Sequence, residues 1–91
     1  MADVRVRRSD RATFQKMEGG EGGVVLHLDS GAYHHVNEVG ALIWELLEGG
    51  ATRNSLVAQV RSRVEDPPDD LEPDVHAFLT ALEERELVVA E

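Results

Sequence analysis

Several residue types are scarce or missing, and each absence narrows what this protein can do. The 91 residues contain no cysteine, which excludes disulfides, thiolate metal sites and a cysteine nucleophile. No apolar run approaches the roughly 18 residues that a membrane span needs. The arginines near the N-terminus are not followed by the apolar core of a secretory signal. We therefore expect a cytoplasmic protein with no membrane partner.

The length sets a second limit, because 91 residues make one small domain. A domain of this size buries only about 60–65% of its unfolded surface, which leaves no room for a deep enclosed active site. We expect a single domain over residues 1–91. Its first 21 residues form a strand or arm and a glycine-rich loop.

Positive charge is scarce in the last third of the chain. Residues 65–91 carry ten acidic side chains against Arg85 alone, a net charge of −9 that equals the charge of the whole chain. Because nucleic-acid affinity comes largely from cationic side chains, this balance disfavours a nucleic-acid partner. It favours a basic partner steered in by the field, although the acids can also serve solubility alone.

The pattern of residues 24–36 predicts a β-hairpin. Val24 to Leu28 form a strand, Ser30-Gly31 form a two-residue turn, and a second strand follows, which pairs Leu28 with Tyr33. The alternative is a three-residue turn with Gly31 in a bulge, which would shift this register. The more apolar face should meet the helices, and it carries Val24, Leu26, Leu28, Tyr33 and His35. A weaker alternation over residues 3–8 predicts an edge strand, and residues 12–18 predict a strand or an irregular arm.

Three helices follow the hairpin. Asn37 is a suitable N-cap for the first helix, and Gly49-Gly50 provide its left-handed end. Thr52 caps a second helix, and the third begins near Pro73, after a proline-containing loop. Trp44 is predicted to lie in the core or on its flank. The fold class is therefore α+β, resembling a winged helix-turn-helix, with a three-stranded antiparallel sheet followed by three helices.

No catalytic or metal constellation emerges from the remaining polar residues. His27, His34 and Asp29 lie near one another on the hairpin, but a structural zinc site needs four ligands, and histidines that bind nothing are far commoner. The serines lack the strand-to-helix context of a nucleophile. We predict no metal, no cofactor and no catalysis.

The second strand of the hairpin carries the main functional signal. If residues 32–36 form an edge strand, their backbone groups are unpaired, and no proline or lysine protects them. Such edges bind extended peptides by strand addition, with side-chain pockets that set specificity. The alternative is a short edge that is simply solvated.

The residues also resemble a known family. Gly-x-Tyr-x-x-Val-Asn at 31–37, Trp-Glu-Leu-Leu-Glu-Gly-Gly at 44–50, Thr-x-x-x-Leu-Val-x-x-Val at 52–60 and Asp-Val-x-x-Phe-Leu-x-x-Leu-x-x-x-x-Leu-Val at 74–88 are similar to the PqqD family. Its members are recognition elements for the precursors of ribosomally made, modified peptides. The resemblance covers residues 22–89 and is strongest to the free-standing recognition protein of split lasso-peptide systems.

The resemblance implies a non-catalytic protein that binds the leader segment of a precursor peptide and presents it to a separate leader peptidase. The cyclase is a second partner that it allows. The leader adds as a strand antiparallel to the edge strand and packs against the third helix. The implied binding residues lie on these two elements: Ala32, Tyr33, His34, His35, Val36, Asp74, Val75, Phe78, Leu79 and Leu82.

Two other functions remain open at this stage. A PqqD-like peptide chaperone for a radical enzyme would use the same binding surface. A small winged-helix DNA-binding regulator is the less favoured alternative. Its recognition helix would be the second helix, which offers Arg53, Asn54, Gln59, Arg61 and Arg63.

Overall fold

The computed structural model describes residues 4–17, 22–66 and 69–90. Within these residues, strands and helices follow one another in the order β1 (Arg5–Arg8), β2 (Ala12–Lys16), β3 (Gly23–His27), β4 (Tyr33–Val36), α1 (Glu38–Leu46), β5 (Ala51–Thr52), α2 (Arg53–Arg63), α3 (Leu71–Glu84) and β6 (Val88–Ala90). The predicted α+β class, with a three-stranded antiparallel sheet and three helices, is confirmed.

The strands form two antiparallel sheets of three strands each, in the orders β2-β3-β4 and β5-β1-β6. The first sheet contains the predicted hairpin, and β4 is one of its edges. The second sheet corrects the expectation for residues 3–8, because β1 is its central strand rather than an edge. Val6 pairs with both Ala51 and Ala90 and is 1% exposed.

The hairpin turn differs from the predicted two-residue turn. Leu26 rather than Leu28 pairs with Tyr33, and the His27 N–H donates to the Ala32 carbonyl at 2.8 Å. The connection therefore contains four residues, in which Gly31 adopts a φ of 78°. Glycine reaches this left-handed conformation without steric cost.

The predicted inner face of the hairpin is wrong. Val25, His27 and Val36 are buried, whereas Leu28 and Tyr33 are more than half exposed. The face that carries more apolar residues therefore points outward. The opposite face can be buried although it carries His27. The His27 Nδ1 accepts hydrogen bonds from the backbone N–H groups of Asp29 and Ser30, so the buried ring has polar partners.

The predicted helix signals at the start and end of α1 are confirmed. The Asn37 side chain accepts a hydrogen bond from the Gly40 N–H at 2.8 Å. Gly49 and Gly50 follow the helix with φ values of 81° and 90°. Thr52 caps α2 through the Ser55 N–H. These signals hold because each depends on groups only a few residues apart.

Helix α3 begins at Leu71, two residues before the predicted start, so that Pro73 lies within its first turn. Proline is tolerated there because the first N–H groups of a helix have no partner inside it. Of the glycine-rich loop predicted at 19–23, residues 19–21 lie outside the described residues, as do the prolines at 67–68, and Gly23 is the first residue of β3.

A single hydrophobic core lies between the helices and both sheets. Trp44 is 3% exposed within it, which confirms its predicted place. The Arg8 guanidinium lies 4.9 Å from the centroid of the Trp44 ring, and its Nε donates to the Trp44 carbonyl at 2.9 Å. Arg8 thereby connects β1 to the C-terminal turn of α1.

Among the described residues, none of the helices is both long and apolar enough to cross a membrane.

Candidate functional site

The open edge of β4 forms one wall of the candidate site. In β3, residues alternate between bonding β2 and bonding β4; the pairs Leu28–Arg11 and His27–Ala32 fix the phase. His34 therefore directs its backbone groups toward β3, whereas Tyr33 and His35 direct theirs toward the open side. An incoming strand would find two adjacent sets of free N–H and C=O groups there.

Helix α3 forms the opposite wall. Its buried stripe consists of Leu71, Val75, Leu79 and Leu82, each at most 3% exposed. A second stripe, rotated by one residue, carries Asp74, Phe78 and Arg85. We call the space between β4 and this second stripe the β4–α3 cleft.

The two walls meet at one aromatic contact. The ring centroids of His34 and Phe78 lie 5.7 Å apart. Behind Phe78, a Cβ added to Gly40 would lie 2.9 Å from the Val36 Cβ and 3.2 Å from the Phe78 ring. The close packing of α1 against β4 and α3 therefore requires glycine at position 40.

The end of the cleft nearest α1 contains an apolar pocket with a volume of about 410 Å³. Its walls come from the ends of all three helices and from the residue after β4: Asn37, Val39, Gly40, Ile43, Val64, Leu71, Asp74, Val75 and Phe78. The pocket is large enough for a side chain of a bound segment, and the lining combines apolar walls with the polar groups of Asn37 and Asp74.

The other end of the cleft is wider and basic. It is lined by the hairpin connection, the start of β4 and Arg85, with a volume of about 630 Å³. Burial lowers the pKa of His34, and the nearby positive charges of Arg85 and His35 lower it further. At this end the cleft is not the acidic groove that the overall charge of the chain suggests.

The structure separates the ten residues singled out from the sequence. Tyr33, His35 and Asp74 are exposed, and Ala32, His34 and Phe78 are half-buried at the cleft. The other four are in the core, with exposures between 0% and 7%: Val36, Val75, Leu79 and Leu82.

Sequence reasoning missed Arg85, Asn37 and Gly40 at this site. The signal for Arg85 was present, because positions 74, 78, 81 and 85 are spaced as one face of a helix. The sequence predicted only a helix cap at Asn37 and no role for Gly40. Their role at this site depends on how α1 packs against α3.

The His27 and Asp29 side chains of the hairpin have partners within the protein. Among the described residues, no group of three or more His, Cys, Asp or Glu side chains is placed to hold a metal ion. The Asp29 carboxylate instead forms a two-point ion pair with Arg11, whose hydrogen bond lowers the pKa of Asp29. The His27 Nδ1 is occupied by the two backbone donors described above.

Fold and cleft together define a small α+β domain with a free sheet edge facing a helix. The chain belongs to the PqqD family, since the family model described as Coenzyme PQQ synthesis protein D matches residues 22–88. No curated protein matches the sequence.

Two solved structures are similar over nearly their whole length. One is described as "TbiB1 in Complex with the TbiA(beta) Leader Peptide", with 30% identity, a TM-score of 0.73, and coverage of 90% of this chain and 93% of that one. The other is "Lasso peptide synthetase B1 complexed with the leader peptide", with 26% identity, a TM-score of 0.71, and coverage of 92% and 96%.

Proposed function

We propose that this domain binds the leader segment of a ribosomally synthesised precursor peptide, without catalysis, by adding it as a strand to β4. The observation that carries the proposal is the geometry of β4: its free edge runs along a cleft whose far wall is α3. Strand addition would satisfy the outward backbone groups of Tyr33 and His35.

The side chains of an added strand alternate between its two faces. Those on the inner face would meet Phe78 and the apolar pocket beside Gly40, which gives the site selectivity beyond backbone pairing. Those on the outer face would lie beside the exposed Tyr33 side chain. Leu79 and Leu82 would then support the wall from beneath, and Val75 would line the apolar pocket. Asp74 and Phe78 would contact the peptide directly.

Both similar structures are complexes with leader peptides, and one is a lasso peptide synthetase, which supports the lasso-peptide setting over the PqqD-like chaperone of a radical enzyme. We infer that the bound leader is presented to a separate leader peptidase, with the cyclase as a second partner. The cytoplasmic location stays a prediction.

DNA binding receives no support from the start of α2. The Arg53 guanidinium, a predicted base-reading group, forms an ion pair with Glu83 and donates to the His76 carbonyl oxygen. It therefore connects α2 to α3 in a partly buried contact.

The proposal is tested by titrating the TbiA(beta) leader peptide, the partner of the 30% identical neighbour, into isotope-labelled protein. We expect chemical-shift changes on β4, at Phe78 and around Gly40, and new protection of the Tyr33 and His35 amides. Changes confined to the surface of β5-β1-β6 would contradict strand addition to β4.

A further inference from the structure

The two ends of the β4–α3 cleft carry opposite charges. Arg85 lines the end next to the start of β4, and Asp74 lines the end next to Asn37, which follows β4. The cleft therefore has an electrostatic direction parallel to its edge strand. What we infer from these charges rests on the proposed function in one respect, because it assumes that a peptide occupies the cleft.

Both charges are exposed and available to a ligand. Among the described residues, no ion pair includes Arg85 or Asp74, and the Arg85 guanidinium donates only to the Ala81 carbonyl oxygen, at 3.1 Å. Glu84 and Glu86 are neighbours of Arg85 in the chain but do not line the cleft. At the opposite end, Asp70 and Glu72 add to the negative charge of the first turn of α3.

The separation of the two charges sets a length for the ligand. Arg85 caps the C-terminus of α3 and lies eleven positions after Asp74, which corresponds to roughly 16 Å along the helix axis. An extended chain covers this distance in about five residues. Because side chains alternate, two residues that both face α3 are separated by an even number of positions, about four or six.

The direction follows from the sheet. Each pairing in β2-β3-β4 is antiparallel, and antiparallel pairing is slightly more stable than parallel pairing. A strand antiparallel to β4 begins at the Asp74 end and finishes at the Arg85 end. We propose that these two charges select and orient the peptide, so that the preferred ligand is an extended segment with a basic residue about four or six positions before an acidic one.

Both charges also complement the dipole of α3, with the acid in its first turn and the cation at its end. Loss of stability in a variant therefore carries no information about the ligand. The informative experiment exchanges the two charges and measures which peptides are selected.

A display library of random peptides long enough to span the cleft is selected against the immobilised full-length chain, against Arg85→Glu/Asp74→Lys, and against Arg61→Glu/Glu48→Lys. The third protein is the matched control, since it exchanges two exposed charges outside the cleft and keeps the net charge. Circular dichroism confirms folding of each, and Arg85→Gln replaces the exchange variant if that variant unfolds.

With the wild type and the control, we expect basic-before-acidic peptides to be enriched about threefold or more over the reverse order. The exchange variant should invert this preference, and Arg85→Gln should lose selection for the acidic residue only. If binders are found but their charge order is absent or unchanged by the exchange, the orientation proposal is wrong and peptide binding stands. If no protein enriches any peptide above background, peptide binding itself fails and the orientation proposal fails with it.

Discussion

The His34 imidazole and the Phe78 phenyl ring lie with their centroids 5.7 Å apart, and this contact joins the edge strand to the third helix. It divides the β4–α3 cleft into an apolar end beside Gly40 and a basic end beside Arg85. A bound strand would pass directly over these two rings. Substitutions here and at the outward-facing backbone positions therefore test the proposed function most sharply.

Truncation of Phe78 should weaken leader binding. We expect Phe78→Ala to cost more than about 1 kcal/mol of binding free energy, because the ring is both a wall of the apolar pocket and part of the cleft floor. Fluorescence polarisation with a labelled leader measures this loss. Thr80→Ala, on an exposed position of the same helix, is the control and should bind normally. Equal binding by both variants would remove Phe78 from the site.

The burial of Leu79 determines which substitutions can serve in such a test. At 0% exposure, Leu79→Asp would place a charge in the core. We expect that variant to lose its cooperative unfolding transition, because an unpaired buried charge costs several kcal/mol. Thermal unfolding followed by circular dichroism detects this loss; a cooperative transition near that of the wild type would contradict the burial.

The outward N–H of His35 can be removed without disturbing the pairing of β4 with β3. Proline is tolerated on the open side of an edge strand, so His35→Pro should retain the fold while losing one hydrogen bond to an added strand. We expect about 1 kcal/mol of weaker leader binding. The matched control is His35→Ala, which keeps the N–H and removes only the side chain. If both variants lose affinity equally, the imidazole rather than the backbone contacts the ligand.

Stability should depend on the protonation of His34. Its pKa in the folded protein lies below the ordinary value of 6.5, because of burial and then the charges of Arg85 and His35. Between the two pKa values the unfolded chain binds more protons, so stability is complete above pH 6.5 and falls as the pH drops through the folded pKa.

This pH dependence is measured by NMR titration of the His34 ring and by urea unfolding across the same range. The wild type should lose stability relative to His34→Gln as the pH falls below 6.5. Arg85→Gln should raise the His34 midpoint toward its ordinary value. A wild-type midpoint at or above 6.5 would contradict the electrostatic environment described here.

Gly40→Ala tests the packing behind Phe78. Alanine favours a helix by about 1 kcal/mol over glycine, but its Cβ would lie 2.9 Å from the Val36 Cβ. Since that atom is attached directly to the backbone of β4, we expect the steric cost of about 1–3 kcal/mol to exceed the helical gain. Chemical denaturation measures the difference, and Ala77→Gly on the exposed face of α3 calibrates the propensity. A stabilised Gly40→Ala variant would show that β4 shifts to accommodate the added methyl group.

The local signals in the sequence predicted the local structure well. Asn37, Thr52 and the Gly49-Gly50 pair each act on groups within a few residues, so their roles as helix ends needed no knowledge of the rest of the fold. The register of the hairpin was predicted wrongly. The connection has four residues rather than two, so Tyr33 pairs with Leu26 instead of Leu28.

Longer-range features required the packed structure. Counting apolar residues chose the wrong face of the hairpin, because the buried His27 ring accepts hydrogen bonds from the Asp29 and Ser30 N–H groups and His34 packs against Phe78 of α3. The central position of β1 depends on pairing with residues 51–52 and 88–90, which are far away in the chain.

By itself, the sequence determined the α+β class, the order of hairpin and three helices, and the presence of an unprotected strand near residues 32–36. Periodicity, caps and turn residues act over short distances in the chain, so the structure that they predict does not depend on how the elements pack together. Only the tertiary structure decided that Leu79 and Leu82 lie wholly in the core, that Val75 lines the apolar pocket, and that Asp74, Phe78 and Arg85 line the cleft. The physical reason is that the rotation of α3 about its axis is set by the surfaces of α1, α2 and the sheets, and one residue of rotation separates the buried stripe from the exposed one.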